Sequence, residues 1–237
     1  MRYSPQIANL EVMVHALDGL VTRFMVVGGA AVDLLISDPG APSVRPTVDV
    51  DIVVEVASRI DYYAMESDVR SRGFLQDTSE TVLCRWRGHG IVLDLIPSSP
   101  EILGFSNPWY RSAFEHRHLI QLPSGRTIYV IDAIHFVATK LVAWRSRGAG
   151  DLYASHDFED IVAVLNGRPE IVADWESAPD EIREYIRQEL TPLALQNRAL
   201  DSIEAALASS SESQARAQLV LDRMQRMVDF APRTEPQ

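Results

Sequence analysis

The sequence contains little cysteine, and it has no excess of positive charge and no long apolar run. Its 237 residues include a single cysteine, Cys84, which excludes an internal disulfide. No segment reaches the roughly 18 to 20 consecutive apolar residues of a membrane span, and the first ten residues lack a signal-peptide core. We therefore expect a cytoplasmic protein with no membrane partner. The formal net charge of -11 argues against a general nucleic-acid coat, although a local basic patch is compatible with it.

Lysine is almost absent as well. The chain has 22 basic residues, and Lys140 is the only lysine among them. Lysine is a compact point charge that suits a phosphate oxygen, whereas arginine presents a planar fork. Lys140 is therefore a candidate phosphate-binding residue. The alternative is chance retention of one lysine in an arginine-biased sequence.

The composition, with 46% hydrophobic and 23% charged residues, is that of an ordinary globular protein. Strand-like and helix-like segments are mixed up to residue 131, and from Asp132 the apolar period is helical. We predict an α+β fold with a core domain at 1–131 and a helical C-terminal domain at 132–237. The predicted helices are 7–20, 30–36, 59–72, 132–145 and 155–165, with helical sequence over 179–230 and a serine-rich break at 209–213. The predicted strands are 24–27, 48–54, 81–86 and 91–96, and the last two form a predicted β-hairpin around the Gly-His-Gly turn at 88–90. A short helix and further strands are predicted over 109–122 and 127–131, and the predicted loops are 37–46 and 97–108.

Two aspartates one residue apart lie on the predicted strand 48–54. Successive strand side chains point to opposite faces, so Asp49 and Asp51 share one face while Val50 and Ile52 share the other. Two converging carboxylates repel each other unless a cation lies between them, and hard oxygen ligands suit Mg²⁺. This pair predicts a metal site for phosphate chemistry.

A third carboxylate, Asp94, interrupts the apolar strand 91–96. A lone carboxylate in a buried strand needs a partner, and Asp94 has one if its strand lies beside the strand of Asp49 and Asp51. Three carboxylates on neighbouring strands can hold two metal ions for in-line attack on phosphorus. The alternative is that Asp94 caps a turn or pairs with an arginine.

Gly28 and Gly29 separate a short apolar strand from a helix. Without β-carbons the backbone approaches a ligand closely, and the free N–H groups of a helix N-terminus attract anions. This geometry can cradle a phosphate, although a glycine pair is more often a simple tight turn. The loop that follows brings Arg45 and Thr47 to the start of the aspartate strand.

Together these residues resemble a known family. The pattern consists of Gly28-Gly29, Arg45-x-Thr47-x-Asp49-x-Asp51, Asp94, Lys140 and the run SHDFEDI at 155–161. It is similar to the nucleotidyltransferase superfamily related to DNA polymerase β, and within it to the AbiEii/AbiGii toxin-type enzymes. The resemblance covers roughly residues 20–170, and it implies a mixed sheet with flanking helices followed by a helical domain.

The resemblance implies a role for each matching residue. Asp49 and Asp51 would bind Mg²⁺ and the nucleotide phosphates, and Asp94 would complete the metal site and accept the proton of the acceptor hydroxyl. Lys140 would reach the β- and γ-phosphates of an NTP. Asp157 would be a further catalytic acid, although Asp160 matches equally well and both also suit a helix N-terminus. The residues expected to hold the nucleotide are Gly28, Gly29, Arg45, Thr47 and Lys140.

The sequence gives less information about the acceptor and the protein partners than about the metal site. Toxin-type relatives imply transfer to tRNA or another macromolecule such as a protein, and a cognate antitoxin. An antibiotic-type small-molecule acceptor and a non-catalytic binding module are the alternatives. Arginines and aromatic residues that could contact RNA are Arg85, Arg87, Arg111, Arg117, Arg145, Arg147, Trp86, Trp109 and Tyr110, or these are solvated cations and core rings.

Overall fold

A computed structural model describes residues 4–78, 83–147, 152–153, 155–207 and 213–229 of the chain. The described residues have the predicted α+β class, with one seven-stranded mixed sheet and flanking helices. The chain divides into two compact units, residues 1–35 with 44–139, and residues 36–43 with 140–237. The helix Ala133–Arg147 contains residues of both units. The predicted domain bounds of 1–131 and 132–237 stay a prediction.

All seven strands lie in the first unit. In chain order they are β1 (Phe24–Val27), β2 (Asp49–Val54), β3 (Leu75–Gln76), β4 (Arg85–Gly88), β5 (Ile91–Pro97), β6 (His118–Gln121) and β7 (Thr127–Val130). Their order across the sheet is β3-β4-β5-β2-β1-β7-β6. The β2/β5 and β1/β7 pairs are parallel, and the other pairs are antiparallel.

The strand β2 lies near the middle of the sheet, between β5 and β1. Its first half alternates, since Val50 is fully buried while Asp49 and Asp51 are half-buried. Its second half is apolar and buried on both faces, as expected of a central strand covered by helices. The two aspartates therefore lie at the start of a strand whose remainder is fixed in the core.

Strands β4 and β5 form the predicted hairpin, but β4 starts at Arg85, later than expected. Leu83 and Cys84 form a turn instead, and residues 81–82 of the predicted strand lie outside the described part of the chain. The hairpin loop consists of His89 and Gly90, both with positive φ, at 52° and 82°. Two positive φ values are what a type I′ hairpin turn requires. This short loop fixes the register of the two strands.

The α-helices that lie wholly in the first unit are α1 (Pro5–Ala16), α2 (Gly28–Leu35), α3 (Arg59–Ser71), α4 (Pro100–Leu103) and α5 (Tyr110–Glu115), and a 3-10 helix spans Val21–Arg23. Helix α1 ends before the predicted limit of residue 20, and Gly19 beyond it has a φ of 82°. Helix α4 lies in a segment predicted to be a loop. Ser99 and Pro100 favour it, because Ser99 accepts the N–H of Glu101 and proline is well suited to the first turn.

Helix α6 (Ala133–Arg147) begins as predicted after Asp132. Oδ1 of Asp132 accepts the backbone N–H groups of Ile134 and His135, at 2.9 and 3.0 Å. Oδ2 of Asp132 lies 2.5 Å from Nδ1 of His135, whose Nε2 is 2.8 Å from Oγ of Ser112. Burial opposes the charge of Asp132, but the His135 side chain and the capped N–H groups lower its pKa overall. This chain of hydrogen bonds links α5 to the start of α6.

The second unit is helical in its described part. Beyond α6 it contains α7 (His156–Gly167), α8 (Ile171–Ser177), α9 (Asp180–Ala194), α10 (Ala199–Ala206) and α11 (Ser213–Val228). Ser155 caps α7 through the N–H of Phe158, and Arg223 of α11 donates to the carbonyls of Leu165 and Asn166 near the end of α7. The predicted serine-rich break falls mostly on residues 208–212, which lie outside the described residues.

No helix in the described part of the chain combines the length and the apolar character that a membrane span requires.

Candidate metal centre

Three carboxylates meet where β2 and β5 run side by side. In the parallel register Asp51 is opposite Asp94, and Asp49 precedes Asp51 by two residues on the same face. One oxygen from each of Asp49, Asp51 and Asp94 lies within 4.8 Å of the other two. The prediction that the strand of Asp94 lies beside the aspartate strand is therefore confirmed.

An arginine bridges two of these carboxylates. Nε and Nη2 of Arg85 donate to the two oxygens of Asp94 at 2.9 and 2.7 Å, and Nη2 also donates to Oδ2 of Asp49 at 3.0 Å. The Arg85 side chain is 18% exposed and that of Asp94 is 8% exposed. The two interpretations of Asp94 are thus compatible, since it lies beside Asp51 and also pairs with an arginine.

The position of Arg85 follows from the hairpin. Gly88 pairs with Ile91 around the two-residue loop, and counting outward places Arg85 directly opposite Asp94. From the sequence, Arg85 is predicted only as a candidate RNA contact. The turn between residues 88 and 91 is the sequence feature that determines the partner of Arg85, because a two-residue loop sets the register of a hairpin.

Thr47 fixes the orientation of Asp49. Its hydroxyl donates to Oδ1 of Asp49 at 2.8 Å, so both oxygens of this carboxylate have partners. A β-carbon on Gly29 would lie 3.2 Å from Cβ of Thr47, tighter than an ordinary contact. The second glycine of the pair therefore gives Thr47 the space to approach the start of α2.

Gly28 faces Asp51 directly. Its φ is +64°, and a β-carbon at this position would lie 1.9 Å from Oδ2 of Asp51. Glycine is required here both for the backbone conformation and for the close approach of the carboxylate. The predicted order of strand, glycine pair and helix is present, since β1 ends at Val27 and α2 begins at Gly28. A role in triphosphate binding stays a prediction.

Cys84 is buried, and its surroundings oppose ionisation of its thiol. Burial, followed by the negative charges of Asp94 and Asp51, raises the pKa of its thiol to about 12. The thiol is therefore protonated at neutral pH, and a protonated thiol is a poor nucleophile and metal ligand.

Lys140 belongs to a cluster of charges within the helical unit. Its Nζ lies 2.6 Å from Oδ2 of Asp160 and 3.1 Å from Oδ1 of Asp157, and Nη2 of Arg147 is 3.0 Å from both oxygens of Asp157. Burial alone would lower the pKa of Lys140, but the two carboxylates raise it above its ordinary value. Lys140 is therefore charged. The predicted approach of Lys140 to the three aspartates, and the catalytic role of Asp157, stay predictions.

Two other expectations concern single side chains. Trp86 is completely buried in the first unit, so its proposed stacking on RNA bases is wrong. Arg45 is exposed, and its Nη1 donates to the carbonyl of Pro46 at 3.3 Å. The predicted contact of Arg45 with a nucleotide stays a prediction.

The donor set of the three aspartates fits a hard divalent cation. All the candidate ligand atoms are carboxylate oxygens, which Mg²⁺ prefers, and they are clustered closely enough to share one ion. The formal charge of the three aspartates with Arg85 is -2, since three negative charges face one positive charge. This negative charge attracts a dication, so the residues present are suited to the predicted Mg²⁺.

Comparisons with known proteins give little further information. No family model matches this chain, and no curated protein matches it. Among solved structures, the chain is similar to the crystal structure of a candidate nucleotidyltransferase from H. pylori, with 13% identity and a TM-score of 0.47 over 95% of this chain and 96% of that chain. Function is therefore inferred from the site residues alone.

Proposed function

We propose that this protein is a metal-dependent nucleotidyltransferase that moves an NMP from an NTP to an acceptor hydroxyl and releases pyrophosphate. The observation that supports the proposal is the clustering of Asp49, Asp51 and Asp94 on two adjacent parallel strands. The residue pattern that resembles toxin-type nucleotidyltransferases points in the same direction.

The three aspartates would hold Mg²⁺, which supplies positive charge to the phosphate oxygens during phosphoryl transfer. Thr47 keeps Asp49 in place, and the absence of a side chain at Gly28 admits Asp51. In the reaction, the acceptor oxygen forms a bond to the α-phosphorus and the bond to the pyrophosphate oxygen breaks. Asp94 would accept the proton of the acceptor hydroxyl.

We propose that the residues of the sequence pattern bind the nucleotide. Gly28, Gly29, Arg45 and Thr47 would lie against the triphosphate, and Lys140 would neutralise its terminal phosphates. Asp157 would be the further acid of the family pattern. Since Lys140 is paired with Asp157 and Asp160, phosphate binding would have to compete with these two carboxylates.

For the acceptor we propose a macromolecular hydroxyl, with tRNA as the first candidate and a protein as the second, and a cognate antitoxin as the partner of a toxin-like enzyme. The formal net charge of -11 requires that any RNA contact comes from a local group of arginines. An antibiotic-type small molecule is the alternative acceptor.

A non-catalytic binding module is a second candidate function, and one observation favours it. Arg85 already supplies a positive charge to Asp49 and Asp94, so these carboxylates are compensated by the protein itself. In this alternative, the ion pairs of Arg85 only stabilise the sheet, and the three aspartates do not bind Mg²⁺.

A labelling experiment separates these functions. The protein is incubated with Mg²⁺, each of the four α-labelled NTPs, bulk tRNA, a cell protein extract and a small-molecule pool. Transfer of label that is lost in Asp51→Asn supports the proposal, and the labelled fraction identifies the acceptor class. Asp68→Asn is the matched control, because Asp68 is a half-exposed carboxylate paired with Arg23 on the surface. Absence of transfer to any fraction, together with absence of Mg²⁺ and NTP binding, would favour the non-catalytic module.

A further inference from the structure

Arg85 occupies the same carboxylate oxygens that a metal ion would use. It bonds both oxygens of Asp94 and Oδ2 of Asp49, while Oδ1 of Asp49 accepts the hydroxyl of Thr47. A cation that binds all three aspartates must therefore share these oxygens with the guanidinium or replace it. Two cations on the same oxygens repel each other, so replacement is favoured.

We propose that Arg85 is a built-in counter-cation of this site, which a divalent cation displaces and which a bound nucleoside triphosphate then accepts. The proposal rests on the proposed function, because it uses the same metal site. It adds that metal and nucleotide bind cooperatively: each binds weakly alone, and each strengthens the binding of the other.

The fold makes this displacement a side-chain event. Arg85 and Asp94 are directly opposite each other on the antiparallel strands β4 and β5. Strand β4 is held on its other edge by β3. Rotation about the side-chain bonds of Arg85 would free the carboxylates without breaking a backbone hydrogen bond. The Arg85 side chain is 18% exposed, so it is not completely enclosed in the core.

The charge balance explains the expected cooperativity. If Arg85 is displaced and no other anion is present, its guanidinium loses charge-assisted hydrogen bonds. This loss is unfavourable because the side chain is partly buried. A triphosphate supplies the missing acceptors, because the planar fork of arginine matches phosphate oxygens. By thermodynamic linkage, the factor by which nucleotide strengthens metal binding equals the factor by which metal strengthens nucleotide binding.

Arg87 provides a matched control on the same strand. It is two residues from Arg85 on the same face of β4, and it pairs with Asp77 instead of the three aspartates. Its side chain is 52% exposed. Arg87→Gln removes one positive charge from this strand and leaves the partners of Arg85 in place.

The test is calorimetric titration of the full chain with Mn²⁺, first alone and then with a non-hydrolysable NTP analogue. Without nucleotide, Arg85→Gln should bind Mn²⁺ at least about tenfold more tightly than wild type, because the competing charge is gone. Arg87→Gln should bind as wild type does. With the analogue, the affinity of wild type for Mn²⁺ should rise by a larger factor than that of Arg85→Gln.

Two results would overturn the proposal in distinguishable ways. If Asp51→Asn abolishes Mn²⁺ binding but Arg85→Gln binds no more tightly than wild type, the metal site stands and the counter-cation role fails. If neither wild type nor Arg85→Gln binds Mn²⁺, both the counter-cation role and the proposed function fail. Should Arg85→Gln not fold, Arg85→Lys is used instead, and it should also bind Mn²⁺ more tightly, because a point charge cannot make the bidentate contact.

Discussion

Gly28 and Asp51 are packed so closely that a β-carbon on residue 28 would lie 1.9 Å from Oδ2 of Asp51. The first glycine of the pair thus has a measurable packing role beside the metal ligands. It allows the carboxylate of β2 to lie against the start of α2. The need for glycine at position 28 is thereby linked to the position of Asp51, a proposed metal ligand.

Gly28→Ala is expected to damage both the fold and the metal site. The left-handed backbone conformation costs an alanine about 1 to 2 kcal/mol, and the clash with Asp51 adds about 1 to 3 kcal/mol. Chemical denaturation measures the loss of unfolding free energy, and Mn²⁺ titration measures the displacement of Asp51. We expect a loss of about 3 kcal/mol and at least tenfold weaker Mn²⁺ binding.

Gly125→Ala is the control for this substitution. Its φ is +85°, and an added β-carbon meets no atom within 4 Å. It therefore carries the conformational cost of about 1 to 2 kcal/mol without a clash at the site. Equal losses of stability in the two variants, with unchanged Mn²⁺ binding in Gly28→Ala, would contradict the packing role of Gly28.

Lys140→Met should destabilise the protein. It removes the cation at 2.6 Å from Asp160 and leaves Asp157 with the Arg147 ion pair among the described residues. Both carboxylates are buried. Removing one partner of a buried ion pair costs about 3 to 5 kcal/mol. Thermal unfolding at neutral pH measures the difference. Arg147→Gln should cost less than about 1 kcal/mol, because the Arg147 side chain is largely exposed.

The pH dependence of the Lys140→Met effect follows from its raised pKa. A cation whose folded pKa lies above its unfolded value contributes its full stabilisation below the unfolded pKa. The ordinary lysine value is 10.5, so the lysine charge contributes its full stabilisation throughout the neutral range and loses it only above that value. A difference between wild type and Lys140→Met that declines between pH 7 and 9 would show that Lys140 is not held in this cluster.

Asp132→Asn separates the charge of Asp132 from its capping function. Asparagine retains a cap for α6 but loses the ionic hydrogen bond to His135, so we expect a loss of about 1.5 kcal/mol at pH 7. The lowered pKa of Asp132 means that this stabilisation is present above the ordinary value of 3.8 and is lost as the pH falls through the folded value. Denaturation at pH 7 and at pH 3 should give a smaller difference at pH 3. A difference that is the same at both values would exclude the ionic contact.

The sequence was informative where a local pattern determined the structure. The period of two placed Asp49 and Asp51 on one face, and the single charge in an apolar run identified Asp94 as a neighbour in the sheet. Helix α7 was recognisable from the Ser155 cap and the acidic residues that follow it. These features depend on a few adjacent residues, so the three-dimensional arrangement did not have to be known.

Relationships across the chain were harder to predict. Lys140 meets Asp157 and Asp160 through the packing of two helices, which the spacing in sequence does not specify. Helix α4 was missed because its four residues are too few to show a period. The Arg85–Asp94 pair follows from the register of the hairpin, but only if β4 is extended to its observed end at Gly88, which leaves a two-residue loop.

In the proposed function, Asp49, Asp51 and Asp94 bind a catalytic metal together with a nucleotide. The most direct test is a crystal structure of the protein with Mn²⁺ and a non-hydrolysable NTP analogue, in which the anomalous signal of manganese locates the metal. We predict a manganese peak within ligand distance, about 2.2 Å, of oxygens from all three aspartates, with Arg85 moved away from Asp94. Nucleotide bound elsewhere, or Arg85 still bridging Asp49 and Asp94 with no manganese at the three aspartates, would contradict the claim.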